Sequence, residues 1–111
     1  MQYMALIYHA PGSFTGDWSA LKAAYGKLTE EMIAAGVFKA ADELSAPETA
    51  TSVRVRGGAR QVTDGPFAET KEHLGGYYLL DCPDLDTALG WAARIPTAEY
   101  GTIEVRPVAA G

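Results

Sequence analysis

The stretch DGPFAETKE, residues 64–72, combines turn-forming and charged residues more densely than any other part of the chain. A strand-like segment at residues 60–63 leads into this stretch, and an apolar segment at residues 76–81 follows it. Its first three residues form a turn motif, because Asp accepts backbone hydrogen bonds, Gly tolerates positive φ and Pro fixes φ. The motif therefore predicts a turn that connects two strands.

Strand patterns lie on both sides of the motif. In residues 51–56, Thr51, Val53 and Val55 alternate with Ser52, Arg54 and Arg56, the period-two pattern of a strand. Gly57-Gly58 then predicts a tight hairpin whose return strand is residues 60–63. In residues 3–8 and 76–81, the side chains that would point to either face of a sheet are largely apolar, which is typical of strands covered on both faces. Further strand-like segments occupy residues 37–44 and 102–107. The chain is therefore rich in strands.

Two helices separate these strands. Asp17 is a candidate N-cap for a helix that runs to about Ala35, and Asp84 caps a second helix that ends before Pro96. Helical spacing predicts one buried stripe on the first helix, made by Trp18, Leu21, Tyr25, Leu28 and Met32. The same spacing predicts the buried face of the second helix, made by Leu85, Ala88, Leu89, Ala92 and Ile95.

The order of elements predicts an α+β fold of the ferredoxin-like split βαβ plan, with an antiparallel sheet and a hairpin insertion. The length is that of a single domain over residues 1–111. Two helices cover only one face of such a sheet, yet four strand residues indicate that the other face is apolar too: Tyr3, Met4, Tyr77 and Tyr78. We therefore expect a second copy to cover this face in a two-fold homodimer.

Composition excludes several classes of protein. The net charge is −5 and the nine Lys and Arg residues are dispersed, which argues against nucleic acid and anionic membranes as partners. The first ten residues lack a signal-peptide pattern, and no apolar run approaches the ~20 residues that span a bilayer. Cys82 is the only cysteine and is expected to be a small buried hydrophobe. We expect a cytoplasmic protein.

The candidate site residues are polar or aromatic. Asp64 is either a turn residue only or a carboxylate held at the end of the sheet for acid–base chemistry. Charged residues on apolar strands indicate either a polar-lined cavity under a partner sheet or solvated sheet edges. The candidates for the pocket lining are Tyr8, His9, Tyr25, Arg54, Arg56, Glu69, Lys71, His73, Tyr77, Glu104 and Arg106.

Neither a metal nor another cofactor is expected. The two histidines, His9 and His73, lack a metal-ligand spacing. Gly75-Gly76 lacks the longer glycine pattern of a phosphate loop and the helix that follows one. This pair of glycines is interpreted as a bulge or a point of close backbone approach on a strand.

Four segments together, DGPFAETKE at 64–72, LGGYY at 74–78, AARIP at 92–96 and IEVRPV at 103–108, resemble the DGPF family, also called YCII-related domain proteins. The resemblance covers essentially the whole chain and implies a dimeric α+β barrel. Some relatives carry the label transcription initiation protein, through an association with sigma factors. This chain has neither a helix-turn-helix pattern nor a basic face.

The wider superfamily includes proteins with a His–Asp pair proposed for acid–base chemistry. By spacing, the position of that His corresponds to Tyr25 in this sequence. A tyrosine, with a reference pKa of about 10, replaces a histidine as a base near neutrality only after a large pKa shift.

Two hypotheses follow for the function. The first is a small-molecule pocket at a dimeric sheet interface, with cofactor-free lyase or isomerase chemistry in which Asp64 is the acid or base. Tyr77, Arg54, Arg56 and Arg106 then line the pocket and favour an anionic or phenolic ligand. The alternative is a non-catalytic dimeric module for ligand binding or regulation.

Overall fold

A computed structural model describes residues 1–68 and 70–110, and over these residues the chain forms six β-strands and two α-helices. Their bounds are β1 (Gln2–His9), α1 (Trp18–Ala34), β2 (Phe38–Glu43), β3 (Thr51–Arg56), β4 (Ala59–Asp64), β5 (His73–Asp81), α2 (Leu85–Ala92) and β6 (Thr102–Pro107). Short 3-10 helices at Pro47–Thr49 and Pro96–Glu99 precede β3 and β6.

Four strands form one antiparallel sheet in the order β2-β5-β1-β6, and β3 and β4 pair with each other in a separate hairpin. Leu6 in the centre of β1 lies opposite Tyr77 of β5 on one side and Glu104 of β6 on the other. This topology confirms the predicted α+β, ferredoxin-like fold with a hairpin insertion.

The core lies between the helices and one face of the sheet. On β1, Tyr3, Ala5 and Ile7 are buried, whereas the residues between them are half exposed. Met32 of α1 and Leu80 of β5 are 0% exposed. Burial of a side chain of this size stabilises a fold by about 1.5–3 kcal/mol relative to leaving it in water. The sheet therefore has one closed face and one open face.

Helix α1 begins where the sequence predicts, because the Asp17 carboxylate accepts a hydrogen bond from the Ser19 backbone N–H at 2.8 Å. Leu28 and Met32 are its buried residues. The prediction that Trp18 is buried is wrong, since its side chain is 69% exposed. Its ring packs edge-on against Phe14, with centroids 4.7 Å apart, instead of reaching the sheet.

Helix α2 has the predicted N-cap, because the Asp84 carboxylate accepts a hydrogen bond from the Thr87 N–H at 2.8 Å. Its buried residues are Ala88 and Ala92, so the helix packs through small side chains. The prediction that Leu85 and Leu89 are buried is wrong, because both are exposed.

Cys82, immediately after β5, belongs to the core and is 1% exposed, as expected for a small hydrophobe. Burial raises the pKa of its thiol, which keeps the sulfur protonated and unreactive. In the described part of the chain, no helix combines the length and apolar character that crossing a membrane requires.

Candidate functional site

The open face of the sheet is formed by residues that alternate with the buried ones. Met4, Leu6 and Tyr8 of β1 lie on it, together with Tyr77 and Leu79 of β5, and all five are half-buried. The strands themselves provide this partial burial, because cross-strand neighbours lie about 5 Å apart and shield one another.

The prediction of an apolar second face is therefore correct for Met4 and Tyr77 and wrong for Tyr3 and Tyr78. The latter two are buried on the helix side, as parts of the core. Their positions follow from the register, in which Tyr3 pairs with Leu80 and Ala5 pairs with Tyr78. Cross-strand partners share one side of a sheet, so both tyrosines lie on the closed face.

A polar pair lies on the open face beside these apolar side chains. The Tyr77 hydroxyl donates a hydrogen bond to Oδ2 of Asp42, its cross-strand partner on β2, at 3.1 Å. This hydrogen bond and the negative charge of Asp42 raise the pKa of Tyr77. The phenol therefore stays neutral, and its O–H keeps the proton that it donates in the hydrogen bond to the carboxylate. Sequence reasoning identified Tyr77 but missed Asp42, since their pairing depends on the strand register.

Glu104 and Arg106 of β6 lie on the same side of the sheet. They are the cross-strand partners of Leu6 and Met4 on β1, and both are exposed. Because β6 is an edge strand, these charges also border solvent. The open face thus has an apolar centre flanked by Asp42 on one edge strand and by Glu104 and Arg106 on the other.

A cleft of about 360 Å³ lies at one end of the sheet, between the end of β2, the start of β5 and the turn that contains Pro66. Leu44, Pro47, Pro66, His73 and Leu74 are among its lining residues. Leu74 pairs with Tyr8 across β1 and β5. Since cross-strand partners lie on the same side of a sheet, the cleft reaches the open face next to Tyr8.

The two histidines are cross-strand partners at this end of the sheet. The β1–β5 register shifts between Ile7 and Tyr8, which leaves Gly75 as the extra residue of a bulge. A Cβ on Gly75 would lie 2.7 Å from Nε2 of His9, so the imidazole lies directly over this glycine. The interpretation of Gly75 as a bulge and close-approach position is confirmed. Among the described residues, no cluster of three metal-ligating side chains forms.

The turn of the central motif is held through the backbone N–H and carbonyl of Gly65. Gly65 adopts a φ of +96°, its N–H donates to the Ala50 carbonyl at 2.7 Å, and its carbonyl accepts from the Ser52 hydroxyl at 2.8 Å. The expectation that the Asp64 carboxylate caps this turn is wrong. Asp64 is exposed and accepts no hydrogen bond within residues 1–68 and 70–110, and Pro66, two residues on, has no N–H to donate.

The other charged residues of the motif lie apart. Lys71 is exposed, and Oε1 of Glu72 accepts a hydrogen bond from the Thr102 hydroxyl at 2.8 Å. The prediction that involves Glu69 lies outside the described residues. The motif therefore contributes Pro66 to the cleft and a carboxylate to the start of β6.

The two hairpin arginines do not reach the open face of their own chain in the described structure. The Arg54 guanidinium lies over the Phe67 ring at 4.9 Å from its centroid, a cation–π contact. Nη1 of Arg56 donates to the Val55 carbonyl at 2.9 Å. Both side chains belong to the separate β3–β4 hairpin.

Tyr25 lies on the helix side of the sheet, within a network of hydroxyl groups. It shares a hydrogen bond of 2.5 Å with the buried Thr97, which in turn lies 3.2 Å from the Tyr100 hydroxyl. Burial is the main cause that raises the pKa of Tyr25, so its phenol remains neutral. Tyr25 therefore fills a structural position and is separated from the open face by the sheet.

A four-stranded antiparallel sheet, two helices on one face and a mixed apolar and polar open face define an α+β domain of the ferredoxin-like class. More specifically, this chain belongs to the YCII-related domain family, which matches residues 1–110. It is 36% identical over 116 residues to an uncharacterised protein of Rhizobium meliloti (strain 1021), with 98% of this chain and 93% of that protein covered. The resemblance noted in the sequence is confirmed, and the family is one of unknown function.

Proposed function

We propose that the protein binds a small molecule in a pocket between the open sheet faces of two copies. The observation that carries this proposal is the Tyr77–Asp42 hydrogen bond among the half-buried apolar side chains of the open face. A mostly apolar surface with a few placed polar groups is typical of a small-molecule site. The cleft lined in part by Leu74, the cross-strand partner of Tyr8, extends this surface toward the central motif.

A two-fold homodimer is part of this proposal. An apolar sheet face is most simply covered by the same face of a second copy, since a two-fold axis presents one surface to itself. The edge charges favour this arrangement, because Asp42 and Arg106 lie on opposite edges of the sheet. A partner rotated by the two-fold axis can bring one near the other.

The ligand that fits is small and anionic or phenolic. Arg106 supplies a positive charge at the border of the open face, and Asp42 supplies an acceptor for a phenolic or other hydroxyl group. Tyr77 remains a neutral donor because of its raised pKa. A planar apolar ligand body fits between Leu6, Leu79 and their counterparts in the second copy.

Cofactor-free acid–base chemistry is the catalytic form of this proposal, with Asp64 or Asp42 as the carboxylate. Asp42 favours it, because a carboxylate that lies beside a neutral hydrogen-bond donor on the open face could accept a proton from a bound ligand. A non-catalytic ligand-binding or regulatory module is favoured by Tyr25. This residue is hydrogen-bonded and neutral at the position where the wider superfamily is expected to carry the histidine of its His–Asp pair.

The binding proposal is tested with a panel of aromatic and lactone-like acids, using calorimetry and analytical ultracentrifugation. Tyr77→Phe removes one hydroxyl and is expected to weaken binding about 3- to 10-fold, the effect of losing one hydrogen bond. Tyr100→Phe removes the same group on the other side of the sheet and serves as the matched control. Equal affinities of the two variants, or a monomer at micromolar concentration, would contradict the proposal.

Measurements of turnover distinguish the acid–base enzyme from the non-catalytic binding module. If the protein is an acid–base enzyme, turnover of a bound acid disappears in Asp64→Asn or Asp42→Asn while the dimer persists. Binding without turnover in the wild type identifies a non-catalytic module. Turnover that survives in both variants excludes these carboxylates as the acid or base.

A further inference from the structure

The Tyr77–Asp42 pair lies in a row of cross-strand neighbours that crosses the whole open face. Tyr77 pairs with Asp42 on β2 and with Leu6 on β1, and Leu6 pairs with Glu104 on β6. Cross-strand partners share one side of a sheet, so the row has a carboxylate at each end, with a phenol and an apolar side chain between them. A ligand that reaches the row at Asp42 therefore meets a negatively charged hydrogen-bond acceptor.

The cleft at the end of the sheet begins one row away from this pair. The Leu44 N–H donates to the Gly75 carbonyl at 2.9 Å, so the chain runs alongside β5 for two residues beyond Asp42. Residues two apart on a strand lie on the same side, about 7 Å from each other. Leu44, on the side of Asp42, and Leu74, the partner of Tyr8, both line the cleft. The polar pair and the cleft are therefore neighbours on one face.

The cleft itself is mainly apolar. Besides the two leucines, its wall includes Pro47 and, at the root of the hairpin, Ala50 and Pro66. The hydroxyl of Thr49, a polar lining residue, already donates to the Ala46 carbonyl at 2.6 Å. Among the described lining residues, none is a lysine, an arginine or a carboxylate. With a volume of about 360 Å³, the cleft suits an uncharged, apolar part of a small molecule.

The position of Arg106 determines which head group fits beside the cleft. Arg106 pairs with Met4, and Met4 pairs with Leu79, so this row lies on the side of the Tyr77–Asp42 pair that faces away from the cleft. Three strand spacings, about 14 Å, separate β6 from β2. An anionic head at Asp42 would meet a like charge, which repels it. If a second copy brings its arginine to Asp42, the two charges pair with each other and leave no positive charge for an anion.

We infer that the ligand is a neutral hydroxyl compound with an apolar chain, whose hydroxyl donates to Asp42 beside Tyr77 and whose chain occupies the cleft. The inference rests on the proposed function, selects the phenolic class over the anionic one and adds the chain. A para-alkylphenol has this shape, because its ring extends from one row toward the next and its chain leaves the ring on the side opposite to the hydroxyl.

A series of chain lengths tests the occupation of the cleft. Calorimetry with phenol, 4-ethylphenol and 4-butylphenol is expected to give an affinity that rises about fourfold with each added CH₂, because each methylene leaves water. Ala46→Leu fills part of the cleft and should lower this gain to less than about twofold. Ala59→Leu makes the same change at an exposed position of β4 outside the cleft and is the matched control.

The outcomes of the series distinguish the inference from the proposed function. A steep series that Ala46→Leu flattens and Ala59→Leu leaves unchanged supports the inference. A flat series, or equal slopes in the two variants, overturns it, because the chain then lies outside the cleft. Aromatic acids that bind where the alkylphenols do not would overturn it and leave the proposed pocket intact. If neither acids nor phenols bind, the inference and the proposed function both fail.

The head group is tested with 4-butylphenol and 4-butylbenzoate, which share a chain and differ in charge. Near pH 7 the phenol is neutral and the benzoate is an anion. We expect the phenol to bind at least about tenfold more tightly, since it gains a hydrogen bond and avoids a like charge. Asp42→Asn removes that charge and should narrow the preference to about threefold or less.

Glu43→Gln is the matched control for this substitution, because Glu43 neighbours Asp42 and lies on the other side of β2. It should leave the preference for the phenol within about twofold of its wild-type value. Equal binding of the two compounds by the wild type, or equal effects of the two substitutions, would overturn the placement of the hydroxyl at Asp42.

Discussion

The β3–β4 hairpin contrasts with the rest of the molecule, the body, which consists of the four-stranded sheet and its two helices. Both regions are built from similar strands but differ in what surrounds them. In the body, successive side chains of β1 and β5 alternate between the core, on the closed face of the sheet, and the half-buried open face. In β3 and β4, no residue is buried. An alternating pattern therefore determines the strand and its two faces, whereas burial depends on what is available to pack against them.

The largest effect on stability is expected from truncation in the core of the body. Met32→Ala should lower the free energy of unfolding by about 2–5 kcal/mol, because a buried side chain is lost and a cavity remains. Its neighbour Ile33 is 58% exposed, so Ile33→Ala should cost no more than about 0.5 kcal/mol. Urea denaturation measures both changes, and similar losses would show that the core assignment is wrong.

A smaller difference is expected between two aspartates. Asp17→Ala should lower the free energy of unfolding by about 1 kcal/mol, because the N-cap hydrogen bond of α1 is lost. Asp64→Ala, at the end of the hairpin, should have an effect within about 0.5 kcal/mol, since Gly65 holds that turn through its backbone. A larger cost for Asp64 than for Asp17 in the same denaturation experiment would reverse this conclusion.

Alkaline titration reports on the body alone, because Tyr25 and Tyr78 belong to the body and the hairpin has no tyrosine. Burial raises both pKa values, so the folded state favours the protonated phenols. Their contribution to stability is complete below the unfolded pKa of about 10 and is lost as the pH rises through the folded pKa. Absorbance at 295 nm should show three late-titrating phenols, with Tyr77 as the third because its hydrogen bond to Asp42 raises its pKa, and Tyr25→Phe should reduce them to two. Titration of all six tyrosines near 10 would contradict the assigned burial.

The smallest effect is expected on the exposed side of the hairpin that carries Val53, Val55 and Val62. Val53→Thr keeps the β-branched shape, and in dilute monomer it should change the free energy of unfolding by no more than about 0.5 kcal/mol. The same substitution at a core strand position, Ile7→Thr, should cost several times more, because a hydroxyl then enters the core. Comparable costs in thermal unfolding would mean that the hairpin has a covered face within its own chain.

Much of the fold could be predicted from local sequence signals. The period-two pattern at β3, the Gly57-Gly58 turn and the caps at Asp17 and Asp84 each depend on a few neighbouring residues. Burial of single helix positions was harder to predict. Helical spacing includes Trp18 and Leu89 in an apolar stripe, but it does not tell how far the sheet extends beneath each turn of a helix.

The candidate site was only partly predictable, because it is formed by strand register. Asp42 and Tyr77 are 35 positions apart in sequence, and a shift of one residue would place them on opposite faces. The pairing of His9 with His73 depends in addition on the bulge at Gly75. The motif pattern favours Asp64, yet among the described residues of that motif Pro66 is the one that lines the cleft.

The position of β1 in the sheet has a consequence for synthesis of the chain on the ribosome. Gln2 pairs with Asp81, and Tyr3 pairs with Pro107. Strand β1 is therefore synthesised well before β5 and β6, the strands with which it pairs. Until residues 73–107 have left the exit tunnel, β1 and the apolar residues of α1 lack the strands against which they pack. The nascent chain therefore exposes apolar surface for most of its synthesis, a situation in which chaperones commonly bind. The β3–β4 hairpin, whose pairs are local, can form well before then.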